Sequence, residues 1–375
     1  MHLERHTPPP ARRKGFRLAS IVAVGGALAL SACGSTARQS PTAGVDSAVS
    51  SLGGASNLTV RVSLGITAAQ AQQLASQGHS SLTTAEAQAL GSGSISFTAQ
   101  TGHGEPLDSN QAITDTGNAY DLALDIAGST PVDIRYVSHA LYLKAQFGQL
   151  LTDLGQAPAD SAKLQNRLSQ LNQYVPGISA LGQGGWVEVS PASLSALGNL
   201  VEQAGGTGSP SATQIQSVLG QLRSTVFDSF KANSTSQSVG STAGEYTTTV
   251  NVHGFLTSLA PTLQKDLQLV PVIGSKLSSD FSQLEKQVPT GKTITGTVHT
   301  SAGRLSEIDV DLRQFAQKAK VNFAVPLQVV FTSATAISTP ANAQVLDLSK
   351  LPSLIQSMLT HSHSGAASTA GQPAS

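Results

Sequence analysis

The chain has 375 residues, with 22 Lys+Arg balancing 22 Asp+Glu, charged residues at only 12%, aromatics at 4% and one Cys. This composition excludes an intrachain disulfide framework and a Cys-rich zinc site. It offers no basic face for nucleic acid, and few rings for a platform that stacks sugars or bases.

The first 33 residues set the compartment. Arg5, Arg12, Arg13, Lys14 and Arg17 precede an apolar run from Ile21 to Leu30, then Ser31-Ala32-Cys33. The run is too short to span a bilayer, which takes about 20 residues, and it fits the h-region of a signal peptide. Residues 1–32 are therefore expected to be removed. That takes away five basic residues and one acid and leaves a mildly acidic chain.

Residues 33–56 are small and polar and read as a flexible tether, with a turn or two of helix between Val45 and Leu52. A single domain is expected over 57–350, and a disordered tail over 360–375. Period-2 alternation marks strands at Asn57–Ile66, Ile95–Ala99, Tyr120–Ile126, Val132–Tyr136 and His139–Lys144. Further strands are expected at Trp186–Val189, Glu245–Val252, Thr293–His299, Leu305–Leu312 and Val321–Phe331. Thr300–Arg304 reads as a hairpin loop in which Gly303 takes positive φ.

Helical periodicity appears in Leu164/Leu168/Leu171/Val175, in Ile215 through Phe230 and in Phe255/Leu259/Leu263/Leu267. A helix is expected from Ala192 to Gln203, and a helical excursion over Thr67–Leu90. Strand runs with helices inserted between them predict an α+β fold, an antiparallel sheet with helices on one face.

Catalytic signatures are missing: there is no GxSxG elbow, HExxH, GxxxxGK-Ser/Thr loop or GxGxxG after a strand. No catalytic residue, metal or cofactor is assigned. His361 and His363 lack further ligands nearby, and His253 and His299 read as exposed strand-end residues. Asp121 and Asp125, with Asp133 on the next strand, alternate with apolar partners and read as a solvated face. The Asn57 and Asn233 sequons read as chance matches.

The Leu30-Ser31-Ala32-Cys33 tetrad resembles a bacterial lipobox. With the Val132–Lys144 hairpin, the Gly185-Trp186-Val-Glu-Val-Ser190 strand and the Ser238–Val252 hairpin, the chain resembles the actinobacterial LppX/LprAFG lipoproteins over roughly residues 45–340. Those proteins share the LolA-like fold. The resemblance implies transfer of a diacylglycerol to the Cys33 thiol, then cleavage between Ala32 and Cys33, and attachment to the extracytoplasmic face of the cell membrane.

It also implies an unclosed, curled half-barrel with helices on its concave face. The space between sheet and helices would hold a lipid or lipoglycan, without catalysis. Leu122, Leu124, Ile134, Leu141 and Leu143 are the lining expected here. The alternative is a structural or protein-interaction lipoprotein whose core is filled and takes no ligand.

Overall fold

The computed structural model describes residues 40–77, 80–109, 117–189, 228–240, 243–267, 288–315 and 322–348, with the single positions Ser193, Thr225, Gln283 and Lys286. The expected signal peptide, Cys33 and the tail lie outside these residues, as does nearly all of the expected Ala192–Gln203 and Ile215–Phe230 helices.

In chain order the elements are α1 (Pro41–Gly53), β1 (Asn57–Leu64), α2 (Ala68–Gln77), α3 (Thr84–Ser92), β2 (Ser94–Gln100), β3 (Ala119–Ile126), β4 (Ser129–Val137) and β5 (Ala140–Ala145). Then come α4 (Phe147–Asp153), α5 (Pro158–Leu171), α6 (Ile178–Gly182), β6 (Trp186–Val189), β7 (Ser234–Ser238), β8 (Glu245–Asn251) and α7 (Val252–Leu267). The chain continues through β9 (Thr293–Ser301), β10 (Arg304–Asp311), a 3-10 turn (Leu312–Phe315), β11 (Pro326–Thr332) and β12 (Gln344–Leu346).

The fold is α+β. One unclosed 12-stranded sheet runs in the order β12-β6-β5-β4-β3-β2-β1-β11-β10-β9-β8-β7. Every pairing is antiparallel except β12 with β6. The tight hairpins follow from local chemistry. Ala127-Gly128, Ser138-His139 and Ala302-Gly303 all take positive φ, as two-residue loops between right-twisted strands require.

The first departure from expectation is α1. Residues 41–53 are not tether but a helix, capped by the Ser40 hydroxyl accepting from the Ala43 amide at 3.3 Å, with Pro41 in its first turn. Val45, Ala48, Val49 and Leu52 recur at helical spacing and are buried against Leu58, Val60, Val298, Leu305, Val329 and Phe331. The packed domain therefore reaches back beyond residue 57 and includes α1.

The Thr67–Leu90 excursion is two helices. The second opens with a capping box: the Thr83 hydroxyl accepts from the Glu86 amide at 3.2 Å, and the Glu86 carboxylate accepts from the Thr83 amide at 2.8 Å. Thr83→Ala is expected to cost about 1 kcal/mol of stability, read as a lower urea midpoint with an unchanged slope. An unchanged midpoint would show that the cap contributes nothing. Both helices pack with Ile66 and Val325 at one end of the sheet.

A strap over residues 333–343 joins β11 to β12 across the polar side of the sheet. Asn57 Oδ1 accepts from the Ala334 amide and Gln100 Oε1 from the Ile337 amide. Ile337 and Ala343 then pack on Ala119, Val137 and Tyr142. This crossing carries the chain to the far edge, where β12 pairs parallel with β6. Among the described residues no helix is long and apolar enough to cross a membrane.

Candidate apolar binding face

Strand register sorts the side chains onto two faces. Leu58, Val60 and Val62 of β1 stand opposite Ala99, Phe97 and Ile95 of β2. These in turn face Tyr120, Leu122 and Leu124 of β3, then Tyr136, Ile134 and Val132 of β4. Leu141 and Leu143 of β5 continue the rows to Val189 and Val187 of β6. All five expected lining residues, Leu122, Leu124, Ile134, Leu141 and Leu143, thus share one face. Phe97, Leu122, Ile134, Leu143 and Val187 lie in a single row.

The same registers place every charged strand residue on the opposite face. The apolar face carries no charge on any of the twelve strands.

Helices cover this face on two flanks. On one, α1 packs over β8–β10, β11 and β1. On the other, Val175 and α6 residues Ile178, Ala180 and Leu181 pack on Val187, Val189 and Leu346, with Leu141 and Leu143 at the border. Between these flanks, five side chains of the middle strands β2–β4 are exposed. Phe97 is 45% exposed, Leu122 42%, Tyr120 38%, Ile95 37% and Tyr136 36%.

Phe97 stacks on Tyr120 with ring centroids 6.2 Å apart, and Tyr120 leans on Tyr136 at 6.4 Å. Three strands therefore bear an aromatic ladder at one end of an aliphatic trough. Asn118 Nδ2 donates to the Tyr120 hydroxyl at 3.5 Å, a long contact at the polar end of the ladder.

The ladder adds three rings to the aliphatic lining expected from the sequence. Its signal lay in the same alternation, since Phe97, Tyr120 and Tyr136 each hold an apolar position of a strand.

The polar face holds the densest charge cluster. Arg135 bridges Asp121 on β3 (3.1 Å) and Asp133 on β4 (2.9 Å), and its guanidinium lies 4.6 Å from the Trp186 ring centroid. Lys144 approaches the same ring at 6.0 Å. Arg61 and Asp125 pair more loosely, at 3.6 Å.

Asp133 is only 4% exposed, so the acidic face is not the solvated one expected. Burial, reinforced by the neighbouring Asp133 carboxylate, pushes Asp121 up to about 6 against the pull of Arg135. Burial also raises Tyr142, with Glu188 beside it adding to the shift.

His299 lies 3.5 Å from Asp309 within β9 rather than at a strand end. His253 sits in the first turn of α7, with Nδ1 3.2 Å from the Val288 carbonyl. Among the described residues no three His, Cys, Asp or Glu side chains are grouped to hold a metal ion.

No family model, curated protein or solved structure matches the chain. A shallow depression of about 400 Å³ lies on the surface of α5 and beyond, lined by Arg167, Gln170, Leu171, Gln173 and Tyr174. It shares no residue with the trough.

Proposed function

We propose that the protein is a membrane-anchored envelope lipoprotein of the LppX/LprAFG type, lipidated at Cys33, that binds the apolar part of a lipid or lipoglycan. The ligand lies along the trough on β2–β4, between the α1 and α6 flanks. The observation that carries this reading is the exposed strip of Ile95, Phe97, Tyr120, Leu122 and Tyr136 on a face whose two flanks pack under α1 and α6.

Exposed apolar area of this kind is costly in water and marks a binding surface. Each methylene moved onto it from water contributes about 0.8 kcal/mol before ordering costs. Leu122, Leu124 and Ile134 line the floor, with Leu141 and Leu143 at its edge. Binding of this type needs no catalytic group.

The test is native mass spectrometry of the mature chain bearing Cys33→Ser, purified from a related host. An added mass that matches a lipid and disappears on solvent extraction is expected. Leu122→Asp, which sets a carboxylate on the trough floor, is expected to weaken uptake of an added phospholipid roughly tenfold or more. Uptake unchanged by Leu122→Asp would place the ligand elsewhere.

A second reading, a protein-interaction lipoprotein without a lipid ligand, draws on the densely filled core under α1. A clean apoprotein mass, with no uptake of added lipid, would favour it.

A further inference from the structure

The two ends of the sheet are closed in different ways. At one end β12 has only three residues. Just after it the Asp347 amide donates to the Pro176 carbonyl at 3.1 Å. Gly177, at positive φ, comes so near the Val345 carbonyl that a side chain there would collide with it. Main chain thus lies along this edge.

β7 forms the other end, and among the described residues no strand pairs with its outer side. Its register with β8 is unbroken from Ser234 to Ser238. Val239 donates its amide to the Glu245 carbonyl at the start of β8. By alternation Thr235 and Gln237 also address β8, while Ser234, Ser236 and Ser238 turn their backbone groups outward.

At Ser236 those groups meet a single atom. Thr42 Oγ1, in the first turn of α1, accepts from the Ser236 amide at 3.0 Å and donates to the Ser236 carbonyl at 3.4 Å. Antiparallel strands joined at such a position exchange both bonds, amide to carbonyl each way. The hydroxyl therefore makes the two contacts that a residue of an incoming strand would make.

Sheet edges are commonly guarded by charge, proline, a bulge or a covering segment. Ser-Thr-Ser-Gln-Ser has no charge, no proline and no bulge. Ser236 also fastens the strand to β8, its Oγ lying 2.8 Å from Thr248 Oγ1. A second copy turned about a two-fold axis at Ser236 offers the same edge. Ser236 would then face Ser236, Ser234 would face Ser238, and no like charges would stand opposed.

We propose that β7 is an interaction edge whose partner is the β7 strand of a second copy, and that the Thr42 hydroxyl keeps this edge closed in the monomer. The inference does not depend on a lipid ligand.

The experiment compares the mature Cys33→Ser chain with its Thr42→Ala, Thr42→Ser and Thr42→Ala/Ser236→Pro forms by sedimentation velocity, from about 1 to 200 μM. Alanine keeps the helix and removes the guard, serine keeps the hydroxyl, and proline removes the outward amide. The parent and Thr42→Ser chains are expected to stay monomeric. Thr42→Ala is expected to dimerise with a Kd of roughly 10–100 μM, and the added proline to weaken that dimer about tenfold or more. Hydrogen exchange of the peptide spanning β7 is expected to run about tenfold faster in dilute Thr42→Ala than in the parent, and to slow again in the dimer.

A Thr42→Ala chain that stays monomeric, or a parent that dimerises equally well, would overturn the proposal. So would a dimer that leaves β7 unprotected or is indifferent to Ser236→Pro, since its contact would then lie on another surface.

Discussion

Val49→Asp is expected to unfold the domain. Val49 is 4% exposed in the middle of α1, and α1 supplies four of the ten buried side chains of the apolar cluster it shares with β1 and β9–β11. Burying each Val or Leu contributes roughly 1.5–3 kcal/mol, so Val45, Val49 and Leu52 together account for about 5–9 kcal/mol. A whole domain of this kind is stable by only about 5–15 kcal/mol.

A carboxylate at position 49 would meet Val, Leu and Phe side chains with no cation among them, and expelling the helix would strip Leu58, Val60, Val329 and Phe331 of their cover. Circular dichroism and urea titration of the mature chain check this, with Leu52→Ala as the milder companion at about 2–5 kcal/mol. A Val49→Asp chain with a native urea midpoint would show that α1 is dispensable.

The reason α1 was legible only as a turn or two between Val45 and Leu52 lies in its composition. In Pro41–Gly53 the apolar residues Val45, Val49 and Leu52 hold helical spacing, but Asp46, Ser47, Ala48, Ser50 and Ser51 fill the positions between them. A short segment so weakly apolar is not a stable helix alone. It becomes one because it packs on the apolar side chains of the strands from β8 to β1, and those strands come from both ends of the chain.

The strands themselves were easier, since alternation reports a sheet with one apolar and one polar face directly. Register then did what alternation alone cannot. It aligned Leu122 with Ile134 and Leu143, and it added Phe97, Tyr120 and Tyr136 to the same surface.

Burial of the polar face misled for the opposite reason. Asp133 alternates with Val132 and Ile134 as an exposed residue would. Yet Arg135, Trp186 and the strap residue Ile337, which converge on this part of the sheet, reach it from β4, from β6 and from about 200 residues downstream.

That cluster gives the protein a distinctive pH response. Asp121 is held at about 6 in the fold against an ordinary 3.8, by burial first and the Asp133 carboxylate second. The fold therefore favours the protonated carboxyl. The stability this contributes is complete below about pH 4 and is lost as pH rises through about 6.

Arg61, Asp125, Lys144 and Glu188 share the face and set the background charge, and Arg135 contacts both members of the pair. Asp121→Asn keeps the shape and removes the titration. Its melting temperature should exceed the parent's by a few degrees at pH 7.5, and the gap should close or reverse at pH 4.

Arg135→Met acts in the other direction. It leaves the buried Asp133 carboxylate without its cation, a change expected to cost about 3–5 kcal/mol at neutral pH. Combined with Asp121→Asn, part of that loss should return, because one of the two acids no longer ionises. Thermal melts of the three variants from pH 4 to 8 decide it. An Asp121→Asn chain whose melting temperature tracks the parent's in parallel across that range would mean that Asp121 is ionised throughout, and that Arg135 neutralises the pair completely.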